Sequence, residues 1–427
     1  MLLSGGDGKL DTEGLRMDDR YKPSPLRVLL PVGLGTCLSL LGDASLYAVL
    51  PTHTADAGVA LASVGILLSA NRFIRLLLNG PVGALFDRVR RRPLFVSALF
   101  LGAVSTAVYG LTQGFWPLLF GRMMWGTAWV GIWIGGNTIV LDVSRDNTRG
   151  RWIGLYHVSF FLGAAGGALL GGFLTDLVGF HQAMVIGSCV SLCGAFFALV
   201  LLPETRDLRE RVSQGAHTTI DEGRALRARR NQRVMFASTV GLYSIHRLAM
   251  AGVLQSTFGL FLLGLLGAQV RVAGHTVGVA TLTGLGLGLS TVISATAAPV
   301  IGGLSDRTGE RWRVAAGGLV PGVTGFSLLS VGLPFATLLG VPLVAITGGS
   351  NQGLSTVLIG DLGNVGRRSR QLGVLFTAGD LASAIGPPFA YAMVPLIGAK
   401  NVYAMMAGLF FCAFVAMLLV DRTIRRS

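Results

Sequence analysis

The amino-acid sequence predicts an all-α integral membrane protein, with twelve transmembrane helices arranged as two six-helix bundles. Three observations carry this. The 427 residues are 52% hydrophobic and only 13% charged, with a mean hydropathy of +0.63, against about 25% charged in an ordinary soluble domain. Apolar runs, each long enough to cross a hydrocarbon core of ~30 Å, recur from residue 27 to residue 420. A single offset of 219 residues also maps positions in the first half onto the second.

In chain order, residues 1–26 form a polar tail that mixes acids and bases and lacks the apolar core of a cleavable signal peptide. Spans follow at 27–50, 60–86, 93–113, 115–141, 153–175 and 181–202, which make the N-terminal bundle. Residues 203–233 are the only long polar break and read as a linker with a mainly basic charge. The C-terminal bundle, 234–420, holds spans at 234–263, 274–303, 312–334, 336–360, 372–396 and 402–420, and a short basic tail, 421–427, closes the chain. The second, seventh and eighth spans exceed the usual length and extend past the bilayer or tilt within it.

The net charge of +14 raises the question of nucleic acid, and its distribution argues against that partner. With the N-terminus placed in the cytoplasm, 29 of the 35 Lys and Arg fall in cytoplasmic segments and only Arg271 and Lys400 in external loops. Arg72, Arg75, Arg122 and Arg247 lie within spans. This is the positive-inside bias, and it places both termini in the cytoplasm. Cys37, Cys189, Cys193 and Cys412 all sit in apolar spans, where they read as packing residues; no disulfide, metal site or cofactor is implied.

The repeat is ungapped. Gly83, Leu85, Asp87 and Arg88 match Gly302, Leu304, Asp306 and Arg307; Asp142 matches Asp361; Arg149, Arg151 and Gly154 match Arg368, Arg370 and Gly373; Gly167 matches Gly386. One offset through five separated sites indicates internal duplication.

These motifs resemble those of the major facilitator superfamily. "GALFDRVRRRP" (83–93) is similar to the family's loop 2–3 signature G-x-L-a-D-r-x-G-r-k, and "GGLSDRTGER" (302–311) to its second copy. "RMMWG" (122–126) resembles R-x-x-q-G in span 4. Gly154, Gly163, Gly167, Gly171 and Gly172 follow the span 5 pattern G-x8-G-x3-G-P-x2-G-G of proton-coupled antiporters, and "PET" (203–205) closes span 6 as in many drug exporters. Two positions depart from the pattern: Arg90 stands where the signature has glycine, and Ala168 where the antiporter motif has proline, although Gly309 and Pro387 keep the expected residues in the second half. The resemblance covers the whole chain. It implies a pseudo-two-fold pair of bundles that binds a small-molecule substrate and protons, works as a monomer in the bilayer, and performs no enzymatic reaction. The preponderance of Arg over Lys suggests a bacterial inner membrane.

Ionisable groups inside spans are expensive and mark function. Asp43 in span 1 has no charged neighbour in its own helix, which suits proton or cation binding. Asn71, Arg72, Arg75 and Asn79 fall within an arc of about 100° on span 2, and Asp380 in span 11 lies at comparable depth. In the resembled fold spans 2 and 11 face each other, so a pair between Asp380 and either Arg75 or Arg72 is expected. Arg122 in span 4 reads either as a proton-relay partner, which the resemblance favours, or as a structural anchor for the opposing acids. His246 and Arg247 are candidate substrate contacts, and Asn137, His157, Asn351 and Gln352 candidate cavity-lining groups. Asp87 with Gly83, Arg88 and Arg91, and its copy Gly302, Asp306 and Arg307, is expected to latch the cytoplasmic side, Asp87 docking against the start of span 11. Arg90 is expected to strain its loop if the turn needs a left-handed residue there. The span 5 glycines allow close helix approach.

The chain carries no P-loop, H-E-x-x-H or G-x-S-x-G motif, which argues against an ATP-driven pump or a membrane-embedded enzyme. The expected function is proton-coupled efflux of amphipathic organic compounds or drugs by alternating access. The alternative is a facilitator or proton symporter for an anionic metabolite, suggested by four intramembrane arginines against two buried acids.

Overall fold

The computed structural model describes residues 24–144, 149–205, 225–272, 275–362 and 368–425. Six helices build the first half: α1 (Pro25–Val49), α2 (Leu61–Arg88), α3 (Arg91–Leu111), α4 (Phe115–Val143), α5 (Arg149–Val178) and α6 (Phe180–Leu201). The second half opens with α7 (Ala225–Arg247), which runs through a π-helical turn (Leu248–Leu254) into α8 (Gln255–Leu266). A small antiparallel hairpin, β1 (Gln269–Val272) and β2 (His275–Gly278), leads to α9 (Val279–Thr308). Then come α10 (Arg311–Gly317), α11 (Val320–Val331), α12 (Pro334–Leu362) and α13 (Arg368–Arg425). Nine helical stretches among the described residues are long and apolar enough to cross a membrane, and the chain is a multi-pass, all-α membrane protein.

Two details differ from the sequence reading, and one follows it. The ninth span is broken into α10 and α11, where Gly317, Gly318 and Pro321 offer the weakest helix propensity. The eleventh and twelfth spans follow the sequence reading as two helical stretches of α13, divided at Gly398 (φ 80°, ψ 153°), a conformation open to glycine. The loop before the eighth span is a hairpin, which the alternation of Val270 and Val272 with polar neighbours permits.

Each half packs mainly on itself, α1 against α5 and α6 and α3 against α4 and α6 in the first, α12 against α9 and α11 and α13 against α7 and α11 in the second. Two seams join the halves: α5 with α9, and α2 with α13. Both seams are tight at the hairpin end. A methyl group added at Gly65 would lie 2.8 Å from the Pro387 carbonyl, and one at Gly288 3.0 Å from that of Ala165. Asp176 of α5 accepts the backbone N–H of Thr281 (2.7 Å) in the first turn of α9, where a carboxylate meets otherwise unpaired donors. At the other end the seams part: a methyl group at Gly80, Gly83, Gly302, Gly303 or Gly373 would meet nothing within 4 Å. The halves therefore diverge toward the end that carries the α2–α3 loop.

Candidate functional site

The spans that look alike in composition differ in what they bury. Arg122 of α4 is fully buried, and its guanidinium is saturated by first-half partners. Nη1 donates to the Asp43 carboxylate, Nη2 to the Tyr47 hydroxyl (2.9 Å) and Nε to the Leu67 carbonyl (3.1 Å). Asp43 and Tyr47 are four residues apart on α1 and so share a face. Asp43, read from the sequence as a carboxyl without a fixed partner, thus has one. The partner lies on a helix distant in sequence, where helical periodicity gives no information.

Tyr47 connects this pair to the second half. Its ring takes the Arg122 guanidinium at 5.1 Å and that of Arg72 at 5.2 Å, each a cation–π contact. Its hydroxyl also donates to the Leu68 carbonyl (3.1 Å), and the Asn71 side chain lies at 3.5 Å. Arg72 then crosses the seam. It donates to the Ser383 carbonyl of α13 (2.7 Å) and to Gln255 Oε1 (3.3 Å) at the start of α8. One turn further along α2, Arg75 Nη2 donates to both carboxylate oxygens of Asp380 (2.8 and 2.9 Å). Of the two pairings considered from the sequence, the structure contains Arg75–Asp380. Arg247 approaches the same carboxylate at 3.6 Å from the last residue of α7.

The π turn that follows Arg247 matters here. A π turn holds more residues than an α turn, so it rotates Gln255 relative to Arg247 and lets Gly252 approach Gly386, whose Cα would lie 2.8 Å from an added methyl group. The result is two adjacent sets of contacts, Asp43–Arg122–Tyr47–Arg72 and Arg75–Asp380–Arg247, that together span both halves within the apolar spans. They sit where the seams begin to part, and Arg75, Arg247 and Asp380 keep side-chain exposures of 17%, 22% and 11%.

The other candidates are more dispersed. Asn79 lies a turn beyond Arg75, partly buried. His246 is buried and its Nδ1 has no protein partner. His157 meets Asn137 (3.3 Å) and stacks on Trp133, centroids 5.0 Å apart. Asn351 is fully buried with neither amide atom paired, whereas Gln352 is exposed. Four of the span 5 glycines meet α1 or α9 closely: Gly163, Gly167 and Gly171 against Cys37, Leu40 and Ser45, and Gly172 against Ala280. Gly154 does not; a methyl group there would meet nothing within 4 Å, because this end of α5 lies where the halves diverge.

At the divergent end, the α2–α3 loop is held by a buried ionic cluster. Arg91 Nε donates to Asp142 Oδ2 (3.0 Å) and its Nη1 to the Phe86 carbonyl. Glu204 accepts the backbone N–H groups of Arg91 (3.0 Å) and Arg92 (3.2 Å), capping α3 from another helix's end. Thr205 Oγ1 donates to Asp142 (3.2 Å). The "PET" segment is therefore the clamp on this loop. Arg90 has φ −58° and ψ 135°, an ordinary extended conformation; the expected strain is absent, because Val89 and Arg90 make the turn without a left-handed residue. Asp87 and Arg88 are exposed at the end of α2, and residues 363–367, ahead of the helix that Asp87 was expected to meet, lie outside the described residues. Gly83 and Gly302 have open space beside them, Arg307 is exposed, and Asp306 (68% exposed) pairs with Arg311 of its own loop at 3.4 Å.

Tyr47, Gln255 and Glu204 were not singled out as site residues by sequence reasoning. Tyr47 had a signal, its four-residue spacing from Asp43. Gln255 had none, since its placement depends on the π turn.

The Major Facilitator Superfamily model matches residues 32–289 and 249–427. The Escherichia coli inner membrane transport protein YajR is 26% identical over 188 residues, 43% of this chain and 41% of the relative. The class E tetracycline resistance protein of Escherichia coli is 25% identical over 364 residues, 83% of each. The chain aligns with less than half the length of the first curated relatives it matches. Among solved structures, an inward-facing bacterial homolog to the human lysosomal transporter Spinster superposes with a TM-score of 0.70 at 16% identity, covering 95% of this chain and 98% of the other. The human organic anion transporter MFSD10 does so with 0.62 at 22%, covering 92% and 100%.

Proposed function

The chain belongs to the Major Facilitator Superfamily, and on that premise we propose that it exports small amphipathic organic compounds in exchange for protons by alternating access. Its units are two six-helix bundles, residues 27–202 and 234–420, in twelve spans of a bacterial inner membrane with both termini in the cytoplasm. The working unit is a monomer, and its task is transport rather than catalysis. Relatives named for tetracycline and multidrug resistance support the export reading at 23–28% identity.

The observation that carries the proposal is the polar cluster that sets one intrabundle carboxylate pair, Asp43–Arg122, beside one interbundle pair, Arg75–Asp380. Protonating Asp43 would remove the charge that Arg122 faces, and Arg122 shares Tyr47 with Arg72, which bonds across the seam. A proton at Asp43 can thus alter contacts that hold the halves together, which is what coupling requires. On this reading the end at which the halves part, which carries the α2–α3 loop, faces the cytoplasm.

The test is dye uptake into proteoliposomes with an imposed pH gradient. Gradient-driven movement should be lost in Asp43→Asn, lost in Arg75→Asp and in Asp380→Arg singly, and partly regained when those two are combined. Equal movement with and without the gradient, with Asp43→Asn silent, would remove proton exchange from the reading.

A further inference from the structure

The polar cluster within the spans is not electrically balanced. Among the described residues it holds four guanidiniums, Arg72, Arg75, Arg122 and Arg247, and two carboxylates, Asp43 and Asp380. Arg122 takes Asp43, and Arg75 takes both oxygens of Asp380. Arg72 is left with neutral acceptors only, the Ser383 carbonyl and Gln255 Oε1. Arg247 reaches Asp380 only at 3.6 Å, and its Nε is buried without a protein partner. Beside it, buried His246 has an unpartnered Nδ1. Arg72 is in electrostatic range of the other three arginines, so their charges add.

A charge without a counter-charge is costly in a low-dielectric setting, and a buried donor without an acceptor adds to that cost. A positive centre of this kind is stabilised when something else brings the negative charge. The geometry points to the acidic group of the transported substrate as that counter-charge: an organic anion, carrying a carboxylate, sulfonate or phosphate, docks on Arg247 with Arg72 behind it. Arg247 is the contact because it has an unused donor, is incompletely engaged by Asp380, and keeps 22% of its side chain exposed. A cationic compound would instead add a fifth positive charge. This inference rests on the transporter reading above and narrows its substrate class.

The test uses the purified full chain in detergent micelles and three naphthalene probes of one shape. These are naphthalene-2-sulfonate, the neutral naphthalene-2-sulfonamide and the cationic 2-naphthylmethylammonium, with inorganic sulfate as a fourth arm. The sulfonate should raise the unfolding temperature, and its affinity should fall about tenfold or more in Arg247→Gln, the scale of one charge-assisted hydrogen bond. Arg247→Lys, which keeps the charge, should retain part of the effect. A surface variant, Arg151→Gln, should bind as the parent does.

An equal shift with the sulfonamide or the cation overturns the inference, as does undiminished sulfonate binding in Arg247→Gln. An equal shift with sulfate would mean a bare-anion site and would overturn the organic-substrate assignment. The probe series on the unsubstituted chain decides the matter even if Arg247→Gln does not fold. Sulfonate binding without gradient-driven movement in proteoliposomes would remove proton exchange and leave this site standing. Gradient-driven movement of the cation, without sulfonate binding, would do the reverse.

Discussion

The α2–α3 loop and its copy between α9 and α10 carry the same Gly-x-Leu-x-Asp-Arg signature and solve the same turn in different ways. In the copy, Gly309 caps α9 in the left-handed region (φ 66°), a conformation that costs a residue with a Cβ. In the first loop Arg90 occupies the matching position at φ −58° and the chain passes through extended Val89 and Arg90. The anchors also differ. The first loop sinks Arg91 against Asp142, both almost fully buried, and takes its helix cap from Glu204. The copy is held by a half-exposed Arg313, which joins partly exposed Glu310 and buried Asp421. Duplication placed Glu310 where the first half has Arg91, and Thr423 where it has Glu204. A shared signature therefore specifies where a loop goes, and its neighbours specify how firmly it is held.

The largest effect that would sharpen this comparison is at Arg91. Arg91→Ala leaves the Asp142 carboxylate buried without its guanidinium and should cost about 3–5 kcal/mol, read as a drop in unfolding temperature in detergent. Combining Arg91→Gln with Asp142→Asn should regain most of it. Arg313→Ala, which removes a half-exposed and solvent-screened guanidinium, should cost about 1 kcal/mol; a loss as large as that of Arg91→Ala would break the contrast. Next is the turn itself. Gly309→Ala should destabilise by about 1–2 kcal/mol, whereas Arg90→Gly should change stability by no more than ~1 kcal/mol, through the freer unfolded chain. If Arg90→Gly stabilised the protein markedly, the extended path through Val89 and Arg90 would be strained after all. The smallest effect is expected for Asp306→Asn, whose exposed pair with Arg311 should leave the unfolding temperature within the ~0.5 kcal/mol scatter of surface substitutions.

Much of the site was readable as a set of residues and little of it as a set of contacts. Asp43, Arg72, Arg75, Arg122, Arg247 and Asp380 stand out because a charge in an apolar span is conspicuous wherever it ends up. Depth along the spans, with the facing of spans 2 and 11 that the resemblance implies, suggested Asp380 with either Arg75 or Arg72, and the structure contains the first. For Arg122 the sequence allowed an anchor for acids but not which acid: Asp43 lies 79 residues away, and only the packing of α1 against α4 joins them. Glu204 was seen as the end of a span, but capping a helix more than a hundred residues upstream is a property of two helix ends brought together. The π turn was invisible, because nothing in Leu248–Leu254 departs from an apolar helical run.

Composition and the spacing of apolar runs were enough to determine a multi-pass helical protein and which charged groups fall inside its apolar spans, and the 219-residue repeat pointed to two related halves. These follow from one-dimensional quantities: the thickness of a hydrocarbon layer, the rise of a helix, and the cost of charge in an apolar medium. Tertiary structure alone decided which carboxylate meets which arginine, which arginines are left without one, and at which end the halves part. Those depend on the azimuth of each helix and on angles between helices, set by close contacts such as Gly65 with Pro387 and Gly172 with Ala280, and no linear pattern records them.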